Sequence, residues 1–154
     1  MDIEKYETQE ESNHLRYTFI SKGQTDIMKI IAYQRLGSNI PIPGKGQLKA
    51  YNLAFGDRKD QTLEIDDTLN SNNGDMYKVF NTVLHTIPTF FSKYPDTCIA
   101  VQGSDKRRIK AYCMYVSKNY ENLSTEYTFY GVTGTIFTPF KVGTVYDQVV
   151  FLPK

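Results

Sequence analysis

Thr62-Leu63-Glu64-Ile65, followed by Asp66, Asp67, Asn72, Asn73, Gly74 and Asp75, opens a stretch that closes near Tyr94. Thr97 to Val101, followed by Gly103-Ser104-Asp105-Lys106-Arg107-Arg108, opens a second that closes at about Asn119. Each reads as a strand, a polar amide-rich turn and a helix. In the first, Val79, Phe80, Val83, Leu84, Ile87, Phe90 and Phe91 recur at three- and four-residue spacing, a stripe wide enough to cover a sheet. Pro88 lies inside that stripe, removes one backbone hydrogen bond and predicts a kinked or divided helix. In the second, Ile109, Tyr112, Cys113 and Val116 share one side, Lys106, Lys110 and Lys118 lie nearer the other, and Ser104 stands where an N-cap belongs.

Working outward, residues 1 to 13 are rich in Glu, Gln, Ser and Asn without a sustained period, which predicts a flexible leader able to contribute a short strand. Leu15, Tyr17 and Phe19 alternate with polar residues up to Lys22-Gly23, and Ile27 to Tyr33 follows as a hairpin partner. Leu36 to Gln47 holds Gly37, Pro41, Pro43, Gly44 and Gly46, too many breakers for a regular element, so it reads as the main loop. Leu48 to Phe55 is the next strand, and 62 to 66 the one after it. Short links between these four strands predict an antiparallel meander. Glu126 to Val132 and Tyr146 to Leu152 read as the last strands, on either side of a Gly, Thr and Pro stretch from Gly134 to Gly143. The expected architecture is a single α+β domain over 14–154, a mostly antiparallel sheet of about six to seven strands packed against two main helices.

Composition narrows the chemistry. With 154 residues the chain can bury about 70% of the surface that its unfolded form exposes. Against 18 Lys and Arg stand 17 Asp and Glu, a net charge of +1, so any electrostatic function is local rather than a property of the whole molecule. Cys98 and Cys113 lack metal-ligand spacing and read as buried, reduced core residues. No apolar run reaches membrane-spanning length and no secretory leader opens the sequence, so the expectation is a cytoplasmic protein without a membrane partner. Only His14 and His85 are present, neither in a metal or nucleophile motif, and no Walker loop occurs; no cofactor and no catalytic residue is assigned. The 12 tyrosines and 9 phenylalanines read as core and sheet packing rather than as platforms for nucleobases.

Two local constellations remain. Ser104, Lys106, Arg107, Arg108 and Lys110 surround a helix start, where unpaired amides and cationic side chains attract phosphate or carboxylate; Tyr112 lies one turn beyond Arg108, within reach of its guanidinium. The alternative is a capped, solvated helix start. Asn72, Asn73 and Asp75 form the second, read either as a polar turn in which Asn73-Gly74 supplies positive φ and Asp75 caps the helix, or as a contributor to the same ligand site. Asp66, Asp67 and Asp75 raise a third reading, a metal-dependent phosphodiesterase, although the spacing does not match a calcium-binding loop. If the strands at 62–66 and 97–102 run parallel, both helix starts face one edge of the sheet.

Tyr51-Asn52-Leu53-Ala54-Phe55-Gly56-Asp57, Ile65-Asp66-Asp67, Ser71-Asn72-Asn73-Gly74-Asp75, Lys78-Val79, Thr82-Val83, Phe90 to Pro95 and Gly103-Ser104 resemble, in order and spacing over about residues 15–120, a family of small, uncharacterised bacterial proteins typical of Bacteroidota. That family is grouped as a domain of unknown function, so the resemblance implies no activity and carries no catalytic role to any residue. Where its pattern has two arginines spaced by one residue and then Leu-Tyr, this chain has Arg108, Lys110, Ala111 and Tyr112. Lysine at 110 keeps the charge and loses the planar fork needed for bidentate phosphate recognition. The leading expectation is a non-enzymatic module that binds an anionic partner, RNA or another phosphate-bearing ligand, in a setting such as toxin-antitoxin or phage defence. The alternative is a protein-protein interaction or homo-oligomerising domain.

Overall fold

A computed structural model describes residues 4–66, 73–103 and 105–154. Among the described residues the chain forms one α+β domain with a nine-stranded, mostly antiparallel sheet and three helices, two of them long. The strands are β1 (Gln9–Ser12), β2 (Arg16–Lys22), β3 (Asp26–Arg35), β4 (Ile40–Ile42), β5 (Gly46–Asp57), β6 (Thr97–Gln102), β7 (Tyr127–Thr133), β8 (Ile136–Pro139) and β9 (Gln148–Pro153). The helices are α1 (Met76–Lys93), α2 (Lys106–Lys118) and the one-turn α3 (Tyr120–Leu123). Neighbours in the sheet follow the order β1-β2-β3-β5-β6-β9-β7-β8, with β4 beside β5. Contacts gather into two compact units, Met1–Tyr33 with Ala54–Tyr94 and Gln34–Leu53 with Pro95–Lys154.

In the first unit, α1 buries Val79, Phe80, Thr82, Val83, Thr86, Ile87, Phe90 and Phe91, close to the stripe read from sequence. Tyr33 stacks on Phe90 at 4.4 Å between centroids and shares a 2.6 Å hydrogen bond with Thr86, so the ring packs while the hydroxyl is satisfied. Of the two outcomes expected at Pro88, a kink or a division, division does not occur: α1 runs through it from Met76 to Lys93. Pro88 is exposed, on the side where the carbonyl it orphans can turn to water. Lys29 on β3 and Asp57 at the end of β5 form an ion pair buried to 10% and 7% side-chain exposure. Removing one partner of such a pair costs about 3–5 kcal/mol, because the other charge stays buried.

The second unit holds a sheet core of Ile42, Ala50, Cys98, Ala100, Tyr130, Val132, Val150 and Leu152. The intervening residues Ile99, Val101, Val149 and Phe151 are also buried, so β6 and β9 are covered on both faces. Cys98 and Cys113 are free and buried, and burial pushes the Cys98 thiol up to about 11 and the Cys113 thiol in the same direction. Phe140 donates its N–H to the Phe129 carbonyl at 3.0 Å, so the next pair along, Tyr130 and Pro139, turns its main chain away from that ladder. Pro139 therefore faces the open side of β8 without an N–H.

Three expectations change. Residues 62–66 are not a strand: Arg58 and Ile65 form a single bridge, Asp60 has φ +52°, and Thr62 returns its N–H to the Lys59 carbonyl at 3.1 Å, closing a tight loop after β5. The parallel pair is instead β5 with β6, with Lys49 opposite Thr97 and Asn52 opposite Ala100. The strand count exceeds six to seven, because the breaker-rich loop at Leu36 to Gln47 contains β4, the stretch from Gly134 to Gly143 contains β8, and the leader contains β1.

Tyr17, Tyr112 and Tyr127 have phenols pushed by burial to about 12, above the ordinary 10. A raised folded value means that the neutral phenol is the form the fold retains. Their contribution is therefore full below pH 10 and is lost as pH rises from 10 through 12. Phenolate absorbance is expected to show a late-titrating fraction, with the urea midpoint falling over the same interval.

Candidate functional site

The start of α2 is built by a close approach that only glycine permits. A Cβ on Gly103 would collide with the Ile109 amide, so the chain folds tightly back on the first turn. Asp105, not Ser104, is the N-cap: its backbone is extended at φ −149° and ψ 171°, and its carboxylate accepts from the Arg108 N–H at 2.8 Å. Ser104 lies outside the described residues. Asp105 satisfies one of the orphan amides expected to receive an anion and places a negative charge beside the others.

Cationic side chains are the other feature of this helix start. Lys106, Arg107 and Lys110 are exposed and make no hydrogen bond or ion pair among the described residues. Arg108 is half-buried, and its charge acts on Tyr112, opposing the burial that raises that phenol. No acid occupies the first turn of α2, and Lys118 ends its last. The cations near the N-terminus oppose the helix dipole, a cost that a bound anion would relieve.

The start of α1 is differently arranged. Asp75 is the N-cap by position, yet its side chain makes no capping bond. Its Oδ2 accepts instead from the Tyr6 hydroxyl at 2.5 Å and from Ser21 Oγ at 2.5 Å. Asn73 Nδ2 donates to the carbonyls of Ser21 at 3.3 Å and Thr25 at 2.8 Å, pinning the turn between β2 and β3. A Cβ on Gly23 would come within 2.5 Å of Asn73, so that turn and this side chain need each other's shape. Tyr6 also donates its N–H to Thr82 Oγ1 at 2.9 Å and lies under the Lys78 ammonium at 4.2 Å. Asn73 and Asp75 are thus brought together with Tyr6, Ser21 and Lys22, whereas Asn72 and Asp67 lie outside the described residues. Tyr6 and Ser21 were not singled out from sequence; the one available signal was an aromatic residue within a polar leader.

Among the described residues no group of three or more His, Cys, Asp or Glu side chains is placed to hold a metal ion. Asp66 uses its N–H on the Asp57 carbonyl at 2.8 Å. Among the described residues, no helix is long and apolar enough to cross a membrane.

Replacing Tyr6 with phenylalanine removes a donor to a carboxylate and leaves Asp75 with one bond fewer. Stability should fall by about 1–3 kcal/mol in urea unfolding. Gly23→Ala should cost a similar amount, about 1–3 kcal/mol, through the clash with Asn73.

No curated protein and no solved structure matches the chain. A family model does, over residues 2–154, which is nearly the whole sequence. With both helix starts and every strand inside that match, the chain belongs to the family of unknown function DUF6934.

Proposed function

We propose that the protein is a non-enzymatic binding module whose α2 face engages an anionic partner, RNA or another phosphate-bearing ligand. The observation that supports this is the trio Lys106, Arg107 and Lys110, exposed on one helix and unpaired among the described residues, in a chain of net charge +1. Lys22, by contrast, is paired with Asp26 at 2.7 Å, and the trio stands out because its cations crowd together at the start of a single helix. With Asp105 already occupying the N-cap, the ligand is held by side chains along the helix more than by its terminal amides. The contact is then electrostatic and tolerant of sequence.

Fluorescence anisotropy with single-stranded oligouridylate tests the reading. Binding should weaken with salt, with a log–log slope of about −2 if three phosphates are neutralised. Changing Lys106, Arg107 and Lys110 together to alanine should abolish binding without lowering the unfolding midpoint, since these cations oppose the helix dipole. Undetectable binding at low salt, or equal binding by the triple variant, would refute it.

A second reading, recruitment of a protein partner, is favoured by exposed aliphatic side chains at the other end of α2. Met114, Val142 and Val145 are 59%, 54% and 51% exposed. Gly143 donates to Ser117 at 3.0 Å, which holds the Val142 loop against the helix. If this patch mediates self-association, light scattering should show a concentration-dependent increase in mass that Met114→Glu removes.

A further inference from the structure

The edge of β2 lacks one rung. Tyr33 donates to the Leu15 carbonyl at 2.8 Å, and Tyr17 and Phe19 lie opposite Ile31 and Lys29, so odd-numbered residues of this strand turn their main chain toward β3. Even-numbered residues turn to the other edge. Two of them find partners there: Thr18 lies opposite Gln9, the first residue of β1, and the Lys22 N–H is received by the Tyr6 hydroxyl at 3.0 Å. Ile20, midway between, has no strand neighbour on that side, and its N–H and C=O make no hydrogen bond on that edge among the described residues.

An open groove of about 460 Å³ occupies this place, with Tyr6, Glu7, Phe19, Ile20, Lys22 and Met28 in its lining. It exists because residues before Gln9 leave the ladder: Tyr6 swings to α1, bonding Thr82 and Asp75, instead of continuing opposite β2. The vacancy spans a single position, since alternate residues on one strand edge are about 7 Å apart and both flanking positions are filled. Ile20 is 40% exposed and offers an apolar surface beside the free main-chain pair.

We propose that this groove binds one residue of a short extended peptide, whose own N–H and C=O complete the missing rung and whose apolar side chain packs on Ile20 and Met28. A β-strand residue presents a donor and an acceptor in the same direction, and the natural complement is another extended residue. The charges agree with this ligand. Glu7 contributes one negative and Lys22, already paired with Asp26, one positive group. A lining of both signs suits a neutral or dipolar peptide and disfavours the polyanion proposed for α2, so the two readings stand or fall separately.

The full chain, labelled with nitrogen-15, is titrated with N-acetyl-leucine-N-methylamide, a capped single residue. The Ile20 amide should shift saturably and at saturation exchange with solvent about tenfold more slowly, the effect of one added hydrogen bond. Ile20→Pro removes the donor without breaking a bond to β3 and should abolish the effect on neighbouring amides. Met28→Trp, which fills the groove and keeps the Ile20 N–H, should abolish it as well and decides the matter if the proline variant does not fold. The proposal is overturned by an Ile20 amide that does not shift saturably, by one that is already protected without peptide, or by wild-type binding in either variant.

Discussion

The Asp75 carboxylate is the point on which the first unit turns. Its Oδ2 receives Tyr6 from the N-terminal segment and Ser21 from β2, and its backbone opens α1. One anion therefore ties three segments that lie far apart in sequence. Spending the carboxylate this way leaves the first helical amides of α1 without a side-chain cap. A capping bond is worth about 1 kcal/mol, whereas two hydrogen bonds to a charged acceptor are together worth more, so the exchange is favourable. Asn73 extends the same polar cluster to the following turn, which is why an amide-rich segment that looked available to a ligand serves the scaffold.

The two helix starts thus diverge in chemistry although their sequences look alike. That of α1 turns its polar groups inward onto Tyr6, Ser21 and Thr25. That of α2 keeps only Asp105 for itself and leaves Lys106, Arg107 and Lys110 facing solvent. The anionic partner proposed above therefore concerns the second alone, since the scaffold accounts for the polar groups of the first.

Long periodic elements were readable in the sequence. The α1 stripe, the side of α2 carrying Ile109 and Cys113, and the strands at β2, β3, β5, β6, β7 and β9 all follow from spacing of apolar residues, because burial on one face imposes that spacing. What escaped depends on partners distant in the chain. β4 and β8 are three and four residues long, rich in proline or bounded by glycine, and exist because β5 and β7 supply the pairing. Leu63 and Ile65 alternate like a strand, but the left-handed Asp60 and the bond from Thr62 to Lys59 turn the chain first, and Leu63 is left 41% exposed. Tyr6 was hidden for the same reason: its one local mark is an aromatic ring in a polar segment, and its bond to Asp75 spans 69 positions.

Pro139 has a bearing on how the molecule behaves in company. A terminal strand with an uninterrupted row of main-chain donors can recruit copies of itself, and sheets that grow by this route end as fibres. At β8 the row is broken where the imide nitrogen has no proton to give, close to the solvent-facing Ile136. A greasy border is made tolerable at high concentration by a single ring that refuses to zip.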